Sequence, residues 1–199
     1  MDMYIYGKLG NLIMTKEGIN VLMTNLTGKV PPILQRLDYI RFNGEAAGYL
    51  HDLTLTGLFY TGAGMVKTDV MMSIDEQSMS RTYSGSVASA DLDLGKLLNQ
   101  EKKFGKVDFN VELKGFNYKN RYPESYIKGI ISSFEYSQYQ YENIMLDGVY
   151  KDGGFNGRLS MDDANGSVQI DGNFNVAKTI PDFNLKASVK KPVSYTHLR

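Results

Sequence analysis

The chain has 199 residues, no cysteine and no tryptophan, and its only histidines are His51 and His197. Without cysteine there is no disulfide framework, no thiolate metal site and no cysteine nucleophile. That absence leaves the redox compartment open. A surplus of one charge is also missing, since 22 Lys+Arg stand against 22 Asp+Glu. Phosphate binding needs an excess of basic residues, so this balance argues against nucleic acid as a partner. No apolar run approaches the roughly 18 to 20 residues of a membrane-spanning helix. Met1–Tyr6 lacks the basic region and apolar stretch of a signal peptide. It reads as the middle of a strand, which carries the expectation that the natural protein starts earlier.

What is present is alternation. With 42% hydrophobic and 22% charged residues, the chain is too apolar to be disordered. Its length fits one domain or one stretch of a repetitive protein. From about Ile40 onward a period of two dominates, as in Val107-Asp108-Phe109-Asn110-Val111-Glu112-Leu113-Lys114. Such a strand turns one face to a core and the other to water. A small unit also recurs: apolar, any residue, apolar, polar, Gly. Its copies end at Gly44, Gly57, Gly115, Gly148 and Gly172, with looser ones at Gly85, Gly129 and Gly157. Each Gly shares the parity of the apolar residues. Two readings are open: a Gly at similar depth in successive strands lets the sheet fold along that line, or the Gly ends each strand and begins a turn.

Turn signals at Ser137-Gln138, Asp152-Gly153-Gly154 and Asp163-Ala164-Asn165-Gly166 predict an antiparallel meander of short strands. The spacing is irregular, so no strict repeat period follows. Two helical insertions are expected near the N-terminus, at about 15–26 and 31–37. In the first, Thr15 is the cap and Ile19, Leu22, Met23 and Leu26 share one side, although Gly18 weakens it. The second starts from Pro31-Pro32. A single turn at Asp93–Leu98 has Asp93 as its cap.

No constellation of residues points to an enzyme. His51 sits beside Asp52 at an expected turn, but no Gly-x-Ser-x-Gly elbow accompanies it, and it reads as a solvated loop histidine. Asp162, Asp163, Asn165 and Gly166 faintly resemble a calcium loop. Met161 stands where an acid is required and no Glu closes the ring, so the segment reads as a hairpin. Tyr118, Tyr122, Tyr126, Tyr136, Tyr139, Tyr141 and Tyr150 would serve sugar stacking or a lipid–water boundary. Ordinary cross-strand aromatic pairing is the favoured account of them, and the lack of Trp weakens the sugar reading further.

The segment Val30–Gly48, with Pro-Pro-Ile-Leu-x-x-Leu-x-x-Ile-x-Phe-x-Gly, resembles part of the TamB family (translocation and assembly module proteins of the AsmA-like superfamily). So do Ile127–Tyr136, the run Tyr139-x-Tyr141-x-Asn143-Ile144-x-Leu146-Asp147-Gly148, and Phe155–Gly166. The likeness covers most of Val30–Lys191. Its motifs are not catalytic, and their succession carries it. At Ser137-Gln138 the chain departs from the Asn-Gly of similar sequences, so that turn is less strongly specified.

The resemblance implies an internal fragment, 1–192, of a long periplasmic protein tethered to the inner membrane by parts outside this chain. It implies an all-β architecture: an elongated, folded antiparallel sheet, or β-taco, whose apolar groove conducts phospholipid acyl chains between inner and outer membranes. It also implies a role in outer-membrane protein assembly with a barrel partner of the TamA type. On that reading the lane is lined by Ile40, Phe42, Leu53, Leu55, Phe59, Val107, Phe109, Val111, Leu113, Ile127, Ile131, Ile144, Leu146, Phe155, Leu159, Val168, Ile170, Phe174 and Phe183. The bends fall at Gly44, Gly57, Gly115, Gly129, Gly148, Gly157 and Gly172. No cofactor or metal is expected. The alternative is an extracellular or periplasmic all-β module that binds a glycan or protein and transports nothing. Val193–Arg199 resembles translated sequencing-adapter read-through and is expected to be foreign to the protein.

Overall fold

In a computed structural model, the described residues are 4–27, 30, 32–49, 51–75, 77–78, 80–117, 124–164, 166–175 and 182–190. They form one 11-stranded sheet in strict sequence order, with every neighbouring pair antiparallel. The strands are β1 (Tyr4–Thr15), β2 (Tyr39–Tyr49), β3 (Asp52–Thr61), β4 (Gly64–Asp75), β5 (Ser80–Asp93) and β6 (Phe104–Asn117). They continue as β7 (Glu124–Tyr136), β8 (Tyr139–Lys151), β9 (Gly154–Asp163), β10 (Gly166–Asn175) and β11 (Asp182–Lys190). The expected all-β elongated sheet is what the chain adopts. Val193–Arg199, Pro31, Tyr118, Tyr122 and Asn165 lie outside the described residues.

Helices are few and sit at one end of the sheet. Helix α1 spans Lys16–Thr27, and α2 spans Leu94–Leu98. The expected helix at 31–37 is a single 3-10 turn, Leu34–Arg36. In α1 the Thr15 hydroxyl accepts from the Gly18 amide at 3.5 Å, a long cap. Ile19 is 2% exposed and Met23 packs beside it, but Leu22 faces solvent. The expected apolar side of α1 is therefore narrower, because the helix touches the sheet only at its rim. At α2 the Asp93 carboxylate accepts from the Lys96 amide at 2.9 Å, as the cap reading requires. Arg36 donates from Nη1 to the Leu97 carbonyl at 2.6 Å, tying the 3-10 turn to the orphan carbonyl at the end of α2.

Among the described residues these pieces enclose a well-buried cluster: Ile19, Leu37, Ile40, Ala63, Leu92, Leu97 and Val107. Beyond it the sheet is a single layer. The chain exposes 13831 Å², whereas a compact monomer of its 22.3 kDa mass exposes about 9,400 Å². Among the described residues no second sheet closes over the first. Cohesion therefore rests on the ladder and on cross-strand side-chain pairs, each contributing about 0.2–1 kcal/mol.

Candidate functional site

Register decides which residues share a face. One cross-strand row runs Gly44, Gly57, Thr68, Val87, Val111, Gly129, Leu146, Leu159, Ile170, Ala187 from β2 to β11. The next row on the same face is Phe42, Phe59, Val66, Ser89, Phe109, Ile131, Ile144, Met161, Val168, Val189. On the other side of the first lie Ala46, Leu55, Val70, Gly85, Leu113, Ile127, Gly148, Gly157, Gly172, Leu185. A further row is Gly48, Leu53, Met72, Tyr83, Gly115, Ser125, Tyr150, Phe155, Phe174, Phe183. Toward the helical end, Leu92, Val107 and Phe134 extend the face, with Ile40 opposite Met14.

The structure thus brings every expected lane residue and every expected bend glycine onto one face. Register shifts at Leu9/Leu12 in β1, at Ser89/Leu92 in β5, and at Phe104/Val107 and Asp108/Phe109 in the β6–β7 pair adjust the parity along the face. Burial on this face is lowest at the edge strands, where Leu12 of β1 is 41% exposed while Ile144 of β8 is buried. Phe42 is 3% exposed, whereas Phe183 on β11 is 60% exposed. The face is an open apolar surface, far beyond the single scattered hydrophobics of an ordinary monomer.

The glycines lie inside strands, which removes the reading that they begin turns. A Cβ built on Gly129 would come within 2.6 Å of the Val111 Cα, and one on Gly85 within 2.6 Å of the Val70 Cα. Adjacent backbones crowd here on the apolar side. Aromatic rings also close over four of the glycines: Phe42 over Gly44 and Gly57, Tyr83 over Gly115, and Phe155 over Gly148. An aromatic ring laid on a neighbouring glycine restores packing that the missing side chain forfeits.

The opposite face is charged and contains a feature that the residue spacing did not disclose. Opposite one another stand Lys8, Glu45, Thr56, Asp69, Ser86, Glu112, Lys128, Asp147, Arg158, Asp171 and Lys186, one from each strand. From Glu112 to Lys186 the sign alternates at every step. Lys8 pairs with Glu45 at 3.3 Å, Lys128 with Asp147 at 3.7 Å, and Arg158 Nε with Asp171 at 2.6 Å. Hydrogen bonds from Gln169 and Arg158 hold the Asp171 carboxyl below its ordinary value, and the bond to Asp171 raises Arg158. Tyr126 donates to Asp147 at 2.8 Å, which raises the phenol. Irregular loop lengths hide this ladder in the linear sequence, because only the pairing aligns its members. The one available signal was the polar residue before Gly in the recurring unit, which supplies Thr56, Asp147 and Asp171.

Shallow depressions of about 490 and 570 Å³ open on this charged face. The first lies among Asn110, Glu112, Lys128, Asp147 and Arg158, and the second among Asp69, Ser84, Ser86, Glu112 and Tyr126. Their floors are the crowded backbones at Gly129 and Gly85.

His51 stacks on Tyr49 with ring centroids 5.5 Å apart, at the β2–β3 turn. Among the described tyrosines, Tyr136, Tyr139 and Tyr141 join Phe104 and Phe134 in an aromatic cluster at the β7–β8 hairpin, with Tyr139 and Tyr141 at 4.6 Å. Among the described residues, no three His, Cys, Asp or Glu side chains are grouped to hold a metal ion. No described helix is long and apolar enough to cross a membrane. Compared with known proteins, the chain matches no protein-family model, no curated protein and no solved structure.

Proposed function

We propose that this chain is a segment of a TamB-like protein of the periplasm, and that its apolar sheet face conducts phospholipid acyl chains between the inner and outer membranes. A supporting role in outer-membrane protein assembly, beside a TamA-type barrel partner, belongs to the same reading. The observation that carries it is the cross-strand row from Ala46 to Leu185, which is apolar or glycine from β2 to β11, flanked by rows in which Thr68, Ser89 and Ser125 are the polar interruptions. An acyl chain laid across the strands stays on apolar atoms throughout, and each CH₂ removed from water gains about 0.8 kcal/mol. Nine inter-strand steps of about 4.8 Å from β2 to β11 make the lane about 43 Å long. Among the described residues the cation on this face is Arg81, in the row beyond Tyr83, and the four apolar rows themselves hold none, so on this reading the lane recognises the chains. A fold of the sheet along the crowded glycines would turn the open face into a trough.

The test is Leu113→Arg, which sets a charge midway along the lane opposite Gly85 and Ile127. Phospholipid that co-purifies with the unmutated chain, measured by mass spectrometry without detergent, is expected to fall in the variant while its circular dichroism is retained. Leu159→Arg, at a more exposed lane position, separates loss of lipid from loss of fold. Lipid-free protein from the start, or lipid content indifferent to both substitutions, overturns the reading.

A further inference from the structure

The last four strands repeat one another. β8 reads Ile144-Met145-Leu146-Asp147-Gly148-Val149-Tyr150, and β10 reads Val168-Gln169-Ile170-Asp171-Gly172-Asn173-Phe174. Both follow apolar-x-apolar-Asp-Gly-x-aromatic. β9 reads Phe155-Asn156-Gly157-Arg158-Leu159-Ser160-Met161, and β11 reads Phe183-Asn184-Leu185-Lys186-Ala187-Ser188-Val189. Both follow aromatic-Asn-x-basic-apolar-Ser-apolar. Two patterns therefore alternate, and each is the antiparallel complement of the other.

Their pairing is equally regular. β9 is flanked by a strand of the first pattern on each side in matching register: Ile144 and Val168 both face Met161, and Tyr150 and Phe155 align as do Phe174 and Phe155. Arg158 accordingly stands between Asp147 and Asp171. β11 repeats β9 but has one such neighbour among the described residues, β10, which sets Asp171 against Lys186. All nine residues of β11 pair with β10 without a bulge, and none is Pro or Gly. Its residues are all exposed, Phe183, Leu185 and Val189 among them. β1, at the opposite edge, is blunted by a bulge and by Gly7 and Gly10.

We infer that the outer edge of β11 is an acceptor for an extended protein segment of the pattern apolar-x-apolar-Asp-Gly-x-aromatic, added antiparallel with its Asp facing Lys186. Backbone hydrogen bonding supplies the affinity of such strand addition, and alternate side chains supply the selection. On the charged face the incoming acid continues the alternation of sign; on the apolar face its aromatic and apolar residues stand opposite Phe183, Ala187 and Val189, and its Gly opposite Leu185. A second copy of this chain fits less well. Presented in the same orientation it offers β1, which runs in the same direction as β11, so the pairing is parallel. It also ends the ladder row with another cation, Lys8. The charged row that selects the incoming strand lies on the face opposite the lipid lane, and Phe183, Leu185 and Val189 are where the two sites meet.

Because the chain has no cysteine, a single one reports register. Ser188→Cys in the full chain is mixed with a nonapeptide of the β8 sequence, Asn143–Lys151, carrying Cys in place of Met145, the residue that would stand opposite. Disulfide yield is read by mass spectrometry, with amide exchange on β10 and β11. The expected result is a yield roughly five- to ten-fold higher with Asp than with Lys at the place of Asp147, because opposite and like charges across a ladder differ in sign. Adding Lys186→Glu reverses the preference. β11 gains protection while β10 keeps its own. Yields indifferent to both charges overturn the proposal. So does loss of β10 protection, which signals strand exchange, or preferential formation of a disulfide-linked dimer of the Ser188→Cys chain, which assigns the edge to self-association. Lipid retention by the same chain, measured separately, is expected to be unchanged by Lys186→Glu.

Discussion

Gly44 and Gly57 face each other across β2 and β3 so closely that a methyl on Gly44 would lie 2.6 Å from the Cα of Gly57, and one on Gly57 2.7 Å from the Cα of Gly44. The ring of Phe42 fills the space above both: its Cζ is 2.7 Å from the Gly44 methyl position. Glycine is required here by the neighbour, since neither residue has a positive φ.

Gly44→Ala is expected to destabilise the chain by about 1–3 kcal/mol, because the strands must part or the Phe42 ring must move. Urea denaturation measures this. Gly10→Ala, where an added Cβ meets nothing within 4 Å, is the control and should change the midpoint little. Equal effects at the two positions would contradict the close approach. Gly85→Ala combines crowding with a φ of +142°, and is expected to cost more than Gly44→Ala.

The β7–β8 hairpin turns on Ser137 and Gln138 with φ of 51° and 67°. Two residues with positive φ make a type I′ turn, which Asn-Gly adopts with the least strain. The double substitution Ser137→Asn, Gln138→Gly is expected to stabilise the chain by about 1–2 kcal/mol. Thermal unfolding checks it, and no gain would mean that the turn relaxes to another geometry. Asp152-Gly153 already meets the same demand, with φ of 51° and 76°.

Thr68 is 9% exposed in the middle of an apolar row, and its hydroxyl has no hydrogen-bond partner. Replacing it by Val removes an unsatisfied polar group at nearly constant volume, with an expected gain of about 1 kcal/mol. Thr68→Ala, which leaves space between Gly57 and Val87, should instead destabilise. A loss in the Val variant measured by chemical denaturation would show that the hydroxyl serves the fold.

Acid sensitivity follows from the depressed carboxylates. Asp75 is held below its ordinary value by bonds from the backbone and hydroxyl of Ser78 and from the Gln77 amide, and Asp171 by those from Gln169 and Arg158. A folded value below the unfolded one, about 3.9 for Asp, means that the unfolded chain binds more protons in the interval between them. Stability is then fully present above about pH 4 and falls as the pH drops through the folded values. Lys106, raised chiefly by its hydrogen bond to Asp91, acts oppositely. Its contribution is present below about pH 10.4 and is lost as the pH rises through the folded value. Denaturation midpoints between pH 2 and 7 test the acid limb, and Asp171→Asn should flatten part of it.

Much of this architecture was legible from alternation alone. Period two, the Gly-rich turns and the shared parity of apolar residues and glycines sufficed to place Val107–Leu113, Ile144–Leu146 and Val168–Ile170 on one side of a sheet. β1 was harder to see past its first residues, because Gly7, Gly10 and the bulge at Leu9/Leu12 break its parity. Whether glycine bent a strand or ended it stayed open for a physical reason. A glycine is selected by what would touch its Cβ, and that atom belongs to another strand.

The linear order of apolar and polar residues determined that the chain is a sheet with one greasy and one wet side, since strand geometry makes that a local property. Cysteine, charge balance and the lack of long apolar runs bounded its chemistry for the same reason. The alignment of strands was decided only in three dimensions. It made a single polar row from residues on eleven strands, charged on all but β3 and β5, closed Phe42 over a glycine pair, and left the edge of β11 matching a strand like those that flank β9. Register depends on loops of unequal length and on bulges, so residues far apart in the chain become neighbours only when the sheet has formed.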